Sequence, residues 1–454
     1  MSLKKNKAIY LILISGIFLS IIYAIFSLEK FDKNENVNNH LMIRGDTNLI
    51  WREAESFKRD IIKNNSIFGS GMEYTRTYLP SKILAFYSIA MNYDLYEDFD
   101  NEVIKLDGKL PFLLFQILFY YLSLFFLYKN FLRFYENKIL ICFIISFLAL
   151  DPNIIQWHST FWTESIFFSL QLILMSMIIN EKKSYINFLI IGILLGVCFL
   201  QKTVAIFFII FFIIFLIFDE KDKRKLKNLM MLSGFIIVLS FLTFDNFKKT
   251  GIAYIMPTQT KFAHYFYIAK RIITENEGNT ARLKNEEERW KIENQYNEDS
   301  FKSNYEYYNF LQSQATQVMS DNKIKTIKIY VRNTLSHFIL NPLQTYYWHK
   351  YNQLKFQEVE FHLSDENKNY FFIKIFYSIL FYSIILIGIY SVFKNRNKLK
   401  FHLLILGLIM YLVVMLGWVG NSRYFMPSII FLSIFFGHGL NFLYEIKKIK
   451  NYLK

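Results

Sequence analysis

Long apolar runs, free of charge and separated by short basic loops, constrain this chain more than any other feature. The first is Ala8–Leu28, with Lys4, Lys5 and Lys7 just before it. Others cover Leu110–Tyr128, Ile139–Leu150, Phe161–Ile179, Tyr185–Leu200, Val204–Phe218, Leu229–Phe244, Phe371–Phe393, Phe401–Trp418 and Tyr424–Tyr444. Crossing a hydrocarbon core of about 30 Å takes roughly 20 apolar helical residues, and a helix satisfies its own backbone hydrogen bonds there. The runs therefore predict about ten transmembrane helices, several of them near the lower length limit. Basic residues fall on alternate loops: Lys129, Arg133 and Lys138; Lys182 and Lys183; Lys221 to Lys227; Lys394 to Lys400; and Lys447 to Lys454. Short loops on the other side carry at most one. By the positive-inside rule the basic side is cytoplasmic. The expected fold class is an all-α polytopic membrane protein with both termini cytoplasmic and a helical outer-face loop domain.

Composition agrees. Of the 454 residues, 53% are hydrophobic and 19% aromatic, more than soluble domains carry. The net charge of +15 sits beside the apolar runs, so it reports topology and argues against nucleic acid as a partner. Cys142 and Cys198 both lie inside apolar runs, which argues against a disulfide framework or a thiolate metal site. The first run shows no small-residue cleavage site and reads as a retained anchor, residues 1–28. Residues 29–109 form a first outer loop with two juxtamembrane helices. One is Thr47–Ile62, capped by Asp46, with helical spacing at Ile50, Ala54, Phe57 and Ile61; the other is Ser81–Met91, entered through Pro80. Spans two to seven occupy 110–244, a large outer and mostly helical segment 245–370, the last three spans 371–444, and a basic cytoplasmic tail 445–454. No internal repeat or Gly-rich phosphate loop is visible.

Sidedness sorts the unusual polar residues. Asp46 lies outside, after the first span. Asp151–Ser165 is an outer turn leading into the fourth span, with Glu164 about one turn inside it. Lys202, in the turn Gln201–Thr203, and Arg423 and Tyr424, in GNSRYFMP, also lie at the outer ends of spans. All six tryptophans, Trp51, Trp157, Trp162, Trp290, Trp348 and Trp418, fall on the same side, whereas an aromatic belt marks both interfaces. An ionisable residue within a span faces a cavity or a partner, which singles out Glu164. Against this, Lys202 and Arg423 at span ends also fit simple snorkelling to headgroups. His264, His337, His349, His362 and His438 have no metal-ligand spacing. Asp46, Glu164 and Arg423 are expected to line one cavity open to the outer leaflet. There Arg423 and Lys202 suit an anionic headgroup, tryptophan faces suit sugar rings, and a carboxylate suits proton abstraction from a hydroxyl.

These motifs and their order resemble the C-type (GT-C fold) membrane glycosyltransferase superfamily, in particular the protein O-mannosyltransferases and the bacterial lipid A aminoarabinose transferases. Asp46 matches the acid of the first outer loop, and AESFKRDII the juxtamembrane helix after it. TYLPSKILAFY is similar to the proline-containing approach to the next helix, and DPNIIQWHSTFWTESIFFSL to the segment that brings an acid into a span. LIIGILLGVCFLQKTV resembles the glycine-containing span with a basic turn, LTFDNFKKTGIAYIMPTQT the exit into the outer domain, and NSRYFMPSIIF the Arg-Tyr and proline start of a late span. The resemblance implies an inverting sugar transfer from a polyprenyl-phosphate-linked donor to a glycan, lipid or protein acceptor, at the outer face of a bacterial inner membrane. It implies Asp46 and Glu164 as catalytic residues, and His158, Lys202, Arg423, Tyr424 and Trp157 as substrate-binding residues. No cofactor is expected; some relatives use a divalent ion and others do not, and a single loop aspartate is a weak site for a hard cation. Two departures stand out. Asp46 is followed by Thr47 and Asn48 where relatives often carry a second acid or an aromatic, and the soluble part precedes the last three spans. Competing readings are an O-antigen ligase or polymerase, using Arg271, Arg332 and His337, and a lipid or sugar transporter.

Overall fold

The computed structural model describes residues 7–32, 46–73, 77–98, 103–104, 109–161, 163–180, 184–219, 224–256, 264–277, 301, 303–336, 338–340, 342, 368–418 and 425–452. The helices, in chain order, are α1 (Lys7–Asp32), α2 (Asp46–Asn64), α3 (Tyr78–Ala90), α4 (Lys109–Phe134), α5 (Lys138–Leu150), α6 (Pro152–Ile155), α7 (Glu164–Ile179), α8 (Tyr185–Gln201) and α9 (Phe208–Asp219). They continue with α10 (Arg224–Thr250), α11 (Lys270–Glu277), α12 (Asn304–Asp321), α13 (Lys323–Ser336), α14 (Lys368–Asn395), α15 (Leu399–Leu416) and α16 (Met426–Tyr452). A small antiparallel ribbon, Tyr96–Asp98 with Val103–Ile104, follows α3.

Every predicted apolar run holds a helix. Among the described residues five helices are long and apolar enough to cross a membrane, six if α5 and its bent continuation to Ser159 count as one span. The apolar helices 164–179, 185–201, 203–218 and 399–415 are shorter. Some boundaries differ from expectation. The first juxtamembrane helix begins at Asp46 and reaches Asn64, and α7 begins at Glu164, so this acid stands at the helix start and not one turn inside. The seventh run carries on past residue 244 to Thr250, which keeps Asp245 and Lys249 on one helix face. The second outer turn is no open loop: the chain bends by 40° into α6 and a 3-10 turn, Gln156–Ser159.

Local chemistry explains the ends. Asn137 caps α5, its side-chain oxygen accepting from the N–H groups of Ile139 and Leu140 at 3.0 and 3.1 Å. Asp151 ends α5 and caps α6, accepting from Asn153 N–H at 2.9 Å, and Pro152 takes the first helical position, where no N–H is needed. Close packing then needs glycine. Gly192 of α8 lies against the Met231 carbonyl of α10, while Gly234 of α10 lies against Leu189 of α8. Gly388 and Gly439 repeat the arrangement between α14 and α16. Small residues of this kind let helix backbones approach in an apolar surrounding, where helix association rests on packing. On the other side, α1 is fixed by Ser20, hydrogen-bonded to the Tyr121 hydroxyl at 3.1 Å, and Tyr121 in turn donates to the Ala149 carbonyl at 2.8 Å.

The glycine contacts give a direct test. Gly192→Val and Gly388→Val should each lower stability by about 1–3 kcal/mol or more through overpacking against backbone. Gly251→Ala, with open space around it and φ of +73°, should lose only about 1 kcal/mol to the left-handed conformation. Thermal unfolding in detergent reads the difference, and equal losses at all three positions would contradict the packing account.

Candidate active site

Two of the predicted residues meet. Glu164, first residue of α7, and Lys202, just past the end of α8, form a buried ion pair with Nζ to Oε1 at 2.8 Å. Side-chain exposure is 0% for Glu164 and 7% for Lys202, so the carboxylate has no direct path to solvent. Around them, buried amides hold the irregular backbone. Gln201 Nε2 donates to the Thr163 carbonyl at 3.0 Å and Gln116 Nε2 to the Thr160 carbonyl at 3.1 Å. From α7, Gln171 Nε2 donates to the Pro427 carbonyl at 3.0 Å, which brings the start of α16 beside α7.

His158 and Trp157 are also enclosed, at 0% and 1% exposure. The His158 Nδ1 is 2.8 Å from Ser165 Oγ, and its ring lies 4.5 Å from that of Tyr120. Asp151 accepts a hydrogen bond from the Tyr377 hydroxyl of α14. The segment 151–165 is thus a buried wall. Asp46 starts α2, while its side chain lies outside the described residues; five residues on, Trp51 packs edge-on against Phe161 at 5.1 Å. Arg423 and Tyr424 lie outside the described residues, as do Trp162, Trp290, Trp348 and His337. Of the rival set, Arg332 is exposed on α13, and Arg271 on α11 approaches Asn333 at 3.5 Å.

A second polar constellation went unnoticed in the sequence. It lies where α2 and α3 meet the C-terminal end of α10. Ser81 Oγ donates to Glu53 Oε2 at 2.6 Å. Asp245 accepts from Gly69 N–H at 2.8 Å and pairs with Lys249 at 3.0 Å. Gly69 and Gly71 both have positive φ, +77° and +82°, and Gly71 N–H donates to Asp60 at 2.6 Å. Lys82 Nζ sits 2.9 Å from the centre of the Phe57 ring. Burial pushes the Lys82 ammonium down to about 6, against the pull of Asp245. The one legible signal was the i,i+4 pair Asp245/Lys249.

Among the described residues no three His, Cys, Asp or Glu side chains converge, and Glu164 faces an ammonium. The arrangement holds fixed charges of both signs at the start of α7 and the end of α8.

Comparison with known proteins agrees with this picture. Residues 103–244 match the family model described as dolichyl-phosphate-mannose-protein mannosyltransferase. Among solved structures, the archaeal oligosaccharyltransferase AglB from Archaeoglobus fulgidus, in complex with an inhibitory peptide and a dolichol-phosphate, superposes with a TM-score of 0.51 at 11% identity, covering 100% of this chain and 52% of that one. The Archaeoglobus fulgidus oligosaccharyltransferase complex with Zn and sulfate gives 0.50 at 13% identity, covering 96% and 50%. The chain thus spans about half the length of the structures it matches. No curated protein matches it by sequence. The fold is similar to that of the archaeal oligosaccharyltransferase. Within that fold, residues 103–244 carry the sequence pattern of the mannosyltransferase family, and this supports an enzyme of the glycosyltransferase class.

Two measurements probe the constellations. Glu164→Gln and Lys202→Met should each destabilise by about 3–5 kcal/mol, because each strips a buried charge of this partner, and the double variant should recover much of the loss. Strictly additive losses in thermal unfolding would show the pair is uncoupled. For Lys82, the folded-state value is below the unfolded one, so between pH 6 and the ordinary lysine range the unfolded chain binds the extra proton. Stability from this group therefore rises with pH across that window, by up to about 1.4 kcal/mol per unit. The melting temperature of the wild type should gain on Lys82→Met between pH 6 and pH 9; parallel curves would refute the shift.

Proposed function

We propose that this protein transfers a sugar from a polyprenyl-phosphate carrier to an acceptor at the outer face of the membrane, with ten spans and both termini in the cytoplasm. The observation that carries the reading is the position of the family match: 103–244 contains the whole buried approach 151–165 and both partners of the Glu164–Lys202 pair. The relative bound to an inhibitory peptide and a dolichol-phosphate supports a lipid phosphate on one side and an acceptor on the other.

In this reading the acceptor hydroxyl attacks the anomeric carbon from the face opposite the carrier. Its proton passes to the Asp46 carboxylate, the carbon–oxygen bond to the phosphate breaks, and the carrier leaves with the bonding electrons, inverting the anomeric centre. Polyprenyl phosphate is a good leaving group once its charge is held, so cations and not a strong acid are needed. Arg423 and Tyr424 take that part. Glu164, held by Lys202 and enclosed, acts as a positioning group: it fixes the start of α7 and keeps Lys202 at the outer helix ends with its charge balanced. His158 and Trp157 shape the same wall from behind.

Membranes containing the protein, supplied with radiolabelled polyprenyl-phosphate sugars, should release label from the lipid to an acceptor, and Asp46→Asn should reduce the rate by roughly 100-fold or more. Comparing the lipid-linked glycans of a deletion strain with the parent identifies the donor. Intact turnover in Asp46→Asn would remove Asp46 as the base. Lipid binding without sugar release from any donor would replace the transferase by a transporter.

A further inference from the structure

The helix α13, Lys323–Ser336, carries an apolar stripe that stays exposed among the described residues. Ile324, Ile327, Val331 and Leu335 are spaced by three and four residues, so they share one face, and they are 84%, 63%, 46% and 62% exposed. This is not the core face. Ile329 and Asn333, 2% and 4% exposed, point the other way, and Ile329 packs with Ile268, Ile272 and Trp418. The helix is therefore anchored by one side while four large aliphatic side chains face outward on the other.

Charge follows the same geometry. Lys325, Lys328 and Arg332, again three and four apart, form a row beside the stripe, Lys323 adds a fourth positive charge, and no acid occurs in the helix. Lys328 and Arg332 are exposed. The stripe also borders an apolar surface already in place. The Tyr330 hydroxyl donates to the Val414 carbonyl near the end of α15, where Val414 and Met410 are themselves 53% and 56% exposed. In an isologous pairing of two copies the basic rows would face each other and repel. Aliphatic side chains with a cationic flank, lying at the end of an apolar helix, match an interface rich in acyl chains and negative headgroups.

We propose that α13 is a docking surface for an anionic phospholipid leaflet, with Ile324, Ile327, Val331 and Leu335 in the acyl boundary and Lys325, Lys328 and Arg332 on the phosphates. The outer segment is thereby pinned to the bilayer beside α15.

The full-length protein carrying Leu335→Cys in a Cys142→Ala background, labelled with the environment-sensitive fluorophore NBD, is reconstituted into nanodiscs of phosphatidylcholine with or without phosphatidylglycerol. Expected are a blue-shifted emission and quenching by brominated acyl chains, both stronger with phosphatidylglycerol, and loss of that difference in Lys328→Glu/Arg332→Glu. Ile327→Cys should report the same, which covers a folding failure at 335. An aqueous emission in every lipid overturns the proposal. So does an apolar emission insensitive to lipid charge and to brominated chains, or cross-linking to a second copy, since each assigns the stripe to a protein partner.

Discussion

In an apolar surrounding each backbone N–H and C=O needs a partner, and an unbroken helix supplies one by itself. The chain gives up that self-sufficiency at the C-terminal ends of α5 and α8, where residues 151, 156–161 and 202–207 leave the α-helix. The freed carbonyls of Thr160, Thr163 and, across the bundle, Pro427 are taken by the amides of Gln116, Gln201 and Gln171. Asp151 performs the same service for the first turn of α6. Irregular backbone thus collects polar side chains, and the buried Glu164–Lys202 pair sits in the space they create. Neutral partners on the backbone and balanced charges on the side chains answer one requirement, that nothing polar be left in a dry interior.

The same requirement shapes the juxtamembrane region. The loop 65–73 crosses between α2 and α10 with two glycines at positive φ, and its N–H groups are received by Asp60 and Asp245. Asp245 balances Lys249 while also turning outward to this loop. Glu73 accepts from the Tyr254 hydroxyl at 3.1 Å and from Tyr305 N–H at 2.9 Å, so the loop after α2 and the stretches after α10 and before α12 share one hydrogen-bonded seam. Carboxylates thus tie together segments distant in sequence.

Much of the helical layout was legible because membrane helices announce themselves by length and lack of charge. Where the reading slipped, the reason was local. Glu164 looked one turn inside a span because Phe161 and Trp162 are apolar, yet Thr160 is extended and α7 starts only at Glu164, with the Thr160 and Thr163 carbonyls held by side-chain amides that apolarity does not register. Helix α10 overran its apolar stretch because Asp245 and Lys249, which looked like an exit into solvent, neutralise each other one turn apart. Glu53, Ser81 and Lys82 escaped notice because each, taken singly, is an ordinary polar residue on an amphipathic helix; only the meeting of three helices buries them.

The sequence by itself determined the apolar helices and their order, the distribution of basic loops, and the presence of acids and cations at one end of the bundle. Periodicity and charge placement are properties of the chain, and solvation acts on them before any long-range contact forms. The tertiary structure alone decided which opposite charges became partners. Glu164 and Lys202 are 38 residues apart, and their 2.8 Å contact depends on the start of α7 lying level with the end of α8. Such level-matching comes from the packing of α7 against α8, a three-dimensional fit that no single stretch of sequence contains.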